Sequence, residues 1–195
     1  MALTRLGLNQ SINLATNTTG TLAVANGGTG LTSGFVNGTT NVGKVLQVVA
    51  GTTDANSQSS STSTSFADTG LSVSITPSSS SNKVLILVQQ PMLISGRYTF
   101  PGSRYYTSYG LRLMRDSTTL QTSTSDSGGK YAWQFQTSST DVLDVAITSN
   151  LNYLDSPSST SALTYKTQFA STDSNVTCRP SYGMPSHITA MEISA

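Results

Sequence analysis

The segment Gly38-Thr39-Thr40-Asn41-Val42-Gly43-Lys44-Val45 has the glycine and lysine spacing of a phosphate-binding loop. Such a loop cradles phosphates on backbone N–H groups and holds magnesium through a Ser or Thr after the lysine. Val45 stands at that position, and a strand-like run follows where the motif requires a helix. Nucleotide binding is not expected. One His, one Cys and one Glu in the whole chain give no ligand spacing suited to zinc. His187 follows Ser186 directly, and no serine sits in the glycine pattern of a nucleophile elbow. A lone His entering a terminal strand reads as structural. Asp141 and Asp144 would point to opposite faces of a strand, as solvated carboxylates rather than the facing pair of a glycosidase. The expectation is no catalysis, no cofactor and no metal, with a depolymerase kept as a rival because acid counts alone do not remove it.

Ser95–Gly110 has a different chemistry, that of contact rather than turnover. It carries Arg97, Tyr98, Phe100, Arg104, Tyr105, Tyr106 and Tyr109 around Pro101-Gly102. Tyr and Arg combine large apolar area with directional hydrogen bonds and are enriched at interface hot spots. On a loop carried by a rigid scaffold, they would meet another subunit, a host receptor or a glycan. The competing reading makes half of these tyrosines ordinary core or strand residues.

The scaffold must be built from a charge-poor chain. Charged residues are 10% of its 195 positions, and Ser with Thr fill about a third. Charge-rich, aromatic-poor sequences stay disordered; eight Tyr, five Phe and one Trp, none before residue 35, can instead anchor a core. Polar, turn-rich, β-branched composition indicates sheets. A net charge of +1 with scattered Lys and Arg offers little to nucleic acid. The longest apolar run, Val84–Val88, is far too short for a membrane helix. The first residues lack a continuous apolar h-region, so no signal peptide is expected, and Cys178 alone allows no intrachain disulfide. Robustness would then come from oligomerisation.

Residues 1–56 hold three charged side chains, Arg5, Lys44 and Asp54, and one aromatic, Phe35. Short pairs such as Ile12/Leu14 and Leu22/Val24 cannot offset a backbone ordering cost of about 1–2 kcal/mol per residue in a single copy. Clustered Gly27, Gly28 and Gly30 then break the pattern. Residues 1–43 read as an arm ordered against its own copies or another protein, and residues 44–195 as an antiparallel β-sandwich, jelly-roll-like.

Within that sandwich Lys44–Val49 reads as a strand, followed by a stretch from Thr52 to Ser65 that is either linker or edge strand. Leu71, Val73 and Ile75 alternate with polar residues, Pro77 opens a polar connection, and Lys83–Gln89 follows as an apolar run suited to burial on both faces. The pair predicts a β-hairpin. Further strands are predicted at Tyr109–Arg115, Thr119–Thr124, Lys130–Gln136, Val142–Thr148, Leu151–Leu154, Leu163–Phe169 and His187–Ile193. No window has helical periodicity.

The run from Ile12 to Gly34, with Gly27-Gly28-Thr29-Gly30 inside it, resembles a segment recurrent in tail-fibre and other fibrous proteins of tailed bacteriophages. Gly43–Val49, Thr64–Pro77 and the ending Ile188–Ile193 resemble a β-domain frequent in marine and cyanobacterial phages. The resemblance implies a homotrimeric virion component, its arm docked on other virion proteins and its β-domain displayed outward toward a host-surface glycan or protein. No long repetitive shaft is present, which favours a short fibre, a knob or a capsid decoration protein. A head-decoration or cement trimer and a carbohydrate-binding module are the alternatives.

Overall fold

Leu71, Val73 and Ile75 are buried while the residues between them face water, and this two-residue period repeats in strand after strand. The computed structural model describes residues 44–58, 60–97, 104–122, 130–136, 142–171 and 174–195, and the expected arm with Gly27, Gly28 and Gly30 lies outside them. The described residues form ten strands and no helix: β1 (Val45–Thr53), β2 (Ala67–Ile75), β3 (Lys83–Arg97), β4 (Arg104–Arg115), β5 (Thr118–Thr122), β6 (Lys130–Gln136), β7 (Val142–Asp155), β8 (Leu163–Ser171), β9 (Val176–Pro180) and β10 (Ser186–Ile193). All pairings are antiparallel. One sheet runs β1-β10-β3-β7, with β9 beside β3; the other runs β2-β8-β4-β5, with β6 beside β4.

This order is a jelly roll. The ladders β1·β10, β2·β8, β3·β7 and β4·β5 are successive rungs of one long hairpin whose tip is the β4–β5 turn. Rolling that hairpin places alternate rungs in opposite sheets, which gives the two Greek keys of the architecture. At the tip, Asp116 takes a positive φ of 51° and accepts a hydrogen bond from Thr164 N on Oδ1 at 3.0 Å, pinning the turn to β8. Asp116 and Ser117 make the turn between the strands expected at Tyr109–Arg115 and Thr119–Thr124.

Two expectations are corrected. The hairpin joining Leu71–Ile75 to Lys83–Gln89 does not form. β2 pairs with β8 and β3 with β10 and β7, so the polar connection crosses between sheets, and the two strands face one another across the core. Alternation marks a strand's buried face but not the neighbour it bonds. Lys83–Gln89 is also not buried on both faces: Val84, Ile86 and Val88 are core, whereas Leu85 and Leu87 are half-buried on the outside. The stretch Thr52–Ser65 starts as the end of β1 and continues irregularly. Ser61 bridges Cys178, and Arg179 donates to the carbonyls of Asn56 and Gln58.

The core lies between the sheets. Val84, Ile86, Met92, Ile94 and Ile188 from one sheet meet Leu71, Leu111, Leu113 and Tyr165 from the other. Gly51 sits where the sheet edges approach most closely; a Cβ there would lie 1.9 Å from the Ser72 carbonyl oxygen, so only glycine fits.

A chain of buried hydroxyls and one amide crosses this apolar core. Thr69 Oγ1 contacts Thr167 Oγ1 at 2.5 Å, and Thr167 Oγ1 donates to Gln90 Oε1 at 3.0 Å. Gln90 Nε2 donates to Ser186 Oγ at 2.5 Å, which contacts Ser181 Oγ at 2.8 Å, and that oxygen contacts Thr53 Oγ1 at 2.7 Å. Thr167 spends its single proton on Gln90, so Thr69 is the donor between the two threonines. Each member is buried and bonded, the condition under which polar groups can remain inside a core.

Candidate functional site

The outer faces of the two sheets differ in kind. On the β2-β8-β4 sheet, the exposed positions are polar and engaged with each other. Lys166 Nζ lies 2.9 Å from Asp68 Oδ2, Gln168 Nε2 donates to Asp68 Oδ1 at 2.5 Å, and Arg112 Nε donates to Gln168 Oε1 at 2.7 Å. The Arg112 guanidinium also lies 4.2 Å from the centre of the Phe66 ring. Burial works against the Asp68 carboxylate, but its bonds from Lys166 and Gln168 outweigh that and hold its pKa below the ordinary range. This is a solvated surface.

The β1-β10-β3-β7 sheet carries three outward rows of another character. Val48 pairs with Met191, Met191 with Leu85, and Leu85 with Leu154, so one apolar row crosses all four strands. Val48 is 56% exposed and Leu154 51%, and Val45 and Leu46 extend the apolar surface at the β1 edge. The next row is Ala50, Thr189, Leu87 and Asn152; the third is Thr52, His187, Gln89 and Asn150. Leu87, Gln89, Asn150, Asn152, His187 and Thr189, with Val88, line an open hollow of about 360 Å³. Side chains of Gln89, Asn150, Asn152 and His187 make no hydrogen bond among the described residues. None of the three rows contains Asp, Glu, Lys or Arg.

This arrangement can bind but has little with which to catalyse. Amides offer both donors and acceptors, and Leu87 gives an apolar floor. His187, expected to be structural, is exposed at the rim and has amides and a threonine as cross-strand neighbours rather than a nucleophile or acid. Asp144 is exposed at the far end of β7, and Asp141 lies outside the described residues. Among the described residues no three His, Cys, Asp or Glu side chains cluster to hold a metal.

The expected contact segment is not one loop. Arg97 ends β3, and Arg104, Tyr105 and Tyr106 open β4, where they pair with Gln136, Phe135 and Gln134 of β6. Tyr98 and Phe100 lie outside the described residues. Tyr109 is a core residue: it is fully buried and its hydroxyl bonds Ser149 Oγ. Burial raises its pKa. As a surface contact Tyr109 is corrected, because its inward position in β4 points the ring at the facing sheet.

The three-row face was missed in the sequence because its residues come from four strands spread between Val45 and Ile193, and each reads locally as an ordinary strand. The available signal was the unbroken apolar run of β3, whose outward residues needed a partner that the described residues do not supply.

No family model matches the chain, and no curated protein matches it. Among solved structures it is similar to the VP2 protein of infectious bursal disease virus, as the D431N mutant in derived T=1 particles, at 15% identity and a TM-score of 0.32. That match covers 76% of this chain and 36% of the other, so the chain spans about a third of VP2, and a likeness at this score establishes no relationship.

Proposed function

We propose that the protein is a non-enzymatic structural component of a tailed-phage virion. It is a homotrimeric short fibre or knob, with residues 1–43 docked on the particle and the β-domain displayed outward for host contact. The observation that carries this is the jelly roll itself, assembled from charge-poor strands and leaving on one sheet three outward rows without a charged residue, partly apolar, with Lys83 at their border. Apolar patches of this kind mark contact surfaces rather than free ones. The resemblance of Ile12–Gly34, Gly43–Val49, Thr64–Pro77 and Ile188–Ile193 to phage fibre and virion segments supports the location. A density map of the whole particle tests it. Threefold density matching the sandwich at the tail supports the short fibre. The same density at capsid-lattice positions makes it a head-decoration protein, and a purified particle without the chain defeats both.

The amides over Leu87, which have no partner among the described residues, favour a second reading, a carbohydrate-binding module for a neutral glycan. It predicts a stable single chain that is retained on a host-glycan column and released when Gln89 and Asn150 are replaced by Ala.

A further inference from the structure

We infer that copies of this chain meet through the outer face of the β1-β10-β3-β7 sheet. The inference deepens the assembly reading above and rests on it. The occupant of the face is a second copy.

The argument is the contrast between the two outer faces. One satisfies its polar side chains internally through the Asp68, Lys166, Gln168 and Arg112 network and presents charges to water. The other carries exposed Val48 and Leu154 and half-buried Met191 and Leu85 in a continuous row, beside amides that bond nothing among the described residues. A face meant for solvent would be broken by charges, as natural sheets are when they avoid self-association. Here no charge interrupts the three rows, and Lys83 stands in the adjoining row beside Ile193 and Val45, so the rows of two such faces approach without repulsion where the lysines are offset. Amides are also self-complementary, because each brings a donor and an acceptor to its copy.

Size is consistent with the centre of a contact. Three rows about 7 Å apart on four strands about 4.8 Å apart cover roughly 400 Å², about half of what a standard interface buries on each partner. Val45 and Leu46, 48% and 42% exposed, continue the apolar surface past the β1 edge and enlarge it. Around a threefold axis, the row would point inward and divide its contacts between two neighbours, leaving the charged face outward.

The test is the solution mass of the full chain by sedimentation. The wild type is expected at three times its 20.4 kDa chain mass. Val48→Lys with Leu154→Lys places charges on two half-exposed positions and is expected to give the single-chain mass, weakening association at least a hundredfold. Val48→Thr with Leu154→Thr keeps strand-forming side chains, is expected to weaken association about tenfold, and decides the matter if the lysine pair fails to fold. Ser74→Lys on the other face is expected to leave the mass unchanged. A lysine pair that stays folded and assembled overturns this face while sparing the assembly reading. A wild type that is a single chain at every concentration overturns both. A dimer lost on lysine substitution upholds the face and refutes the trimer.

Discussion

Gln90 Oε1 accepts a 3.0 Å hydrogen bond from Thr167 Oγ1 in the opposite sheet, so one amide joins the two layers through an apolar core. Its Nε2 continues the link to Ser186 at 2.5 Å. Gln90→Leu keeps approximate volume but leaves both hydroxyls without that partner. Thr167 keeps Thr69 and Ser186 keeps Ser181, so two lost buried bonds predict a loss of roughly 1–3 kcal/mol, more than a surface substitution causes. Urea denaturation of the two proteins measures it, and an unchanged midpoint refutes a stabilising role for the chain of hydroxyls.

Arg115 Nη1 reaches both Asp155 oxygens, at 2.8 and 2.6 Å, and Tyr165 Oη donates to the same carboxylate at 2.7 Å. Asp155 is 5% exposed. Arg115→Met removes its counter-charge and is expected to cost about 3 kcal/mol, since a buried charge left unpaired is expensive. Adding Asp155→Leu should restore much of that loss. Thermal melting of the single and double variants distinguishes this from simple loss of packing.

Glu192 is the sole glutamate and is 1% exposed. Burial alone would raise its pKa, but bonds from Asn82 Nδ2, Gln47 Nε2 and the Ser78 side chain and backbone prevail and hold it at about 2. A folded-state pKa below the ordinary 4.5 means a contribution fully present above pH 4.5 and lost as pH falls toward 2. Glu192→Gln is therefore expected to be less stable than wild type at pH 7, with the difference shrinking between pH 4.5 and 2. A difference independent of pH would refute the charge-based account.

Cys178 is fully buried in β9, and burial pushes its thiol up to about 11 despite a bond involving Ser171. A thiol that is both inaccessible and protonated at neutral pH reacts slowly. Iodoacetamide is expected to label the native protein at least a hundredfold more slowly than the urea-unfolded chain, read by mass spectrometry. Rapid native labelling would show that β9 opens readily.

Most strands were legible because their patterns are local. Lys130–Gln136 coincides with β6, and the turn at Asp116-Ser117 separates β4 from β5. β9 was not legible: Val176-Thr177-Cys178-Arg179-Pro180 is five residues long, and its inward positions end in Cys178 and a proline, a residue that argues against a strand. The separate expectations for Val142–Thr148 and Leu151–Leu154 fuse into one strand, because Ser149 and Asn150 continue the ladder opposite Gln90 and Gln89. Partner choice was the harder problem. The inward residues of β2 suit pairing with β3 and with β8 equally well, and only the rolled long hairpin decides. The candidate face shares this difficulty, because Val48 and Leu154 become neighbours of Met191 and Leu85 only when the ladders are known.

Lys44 N donates to Ser194 Oγ across 150 residues of sequence, and among the described residues β10 is the only ladder partner of β1. During synthesis the backbone N–H and C=O groups that β1 turns toward β10 must therefore wait unpaired while everything up to β10 is translated. At about 5–20 residues per second that interval is roughly 7–30 seconds. The first sheet closes from its last strand, so its folding follows synthesis rather than accompanying it, and a ribosome stalled before residue 186 holds a chain in which β1 lacks the ladder of β10.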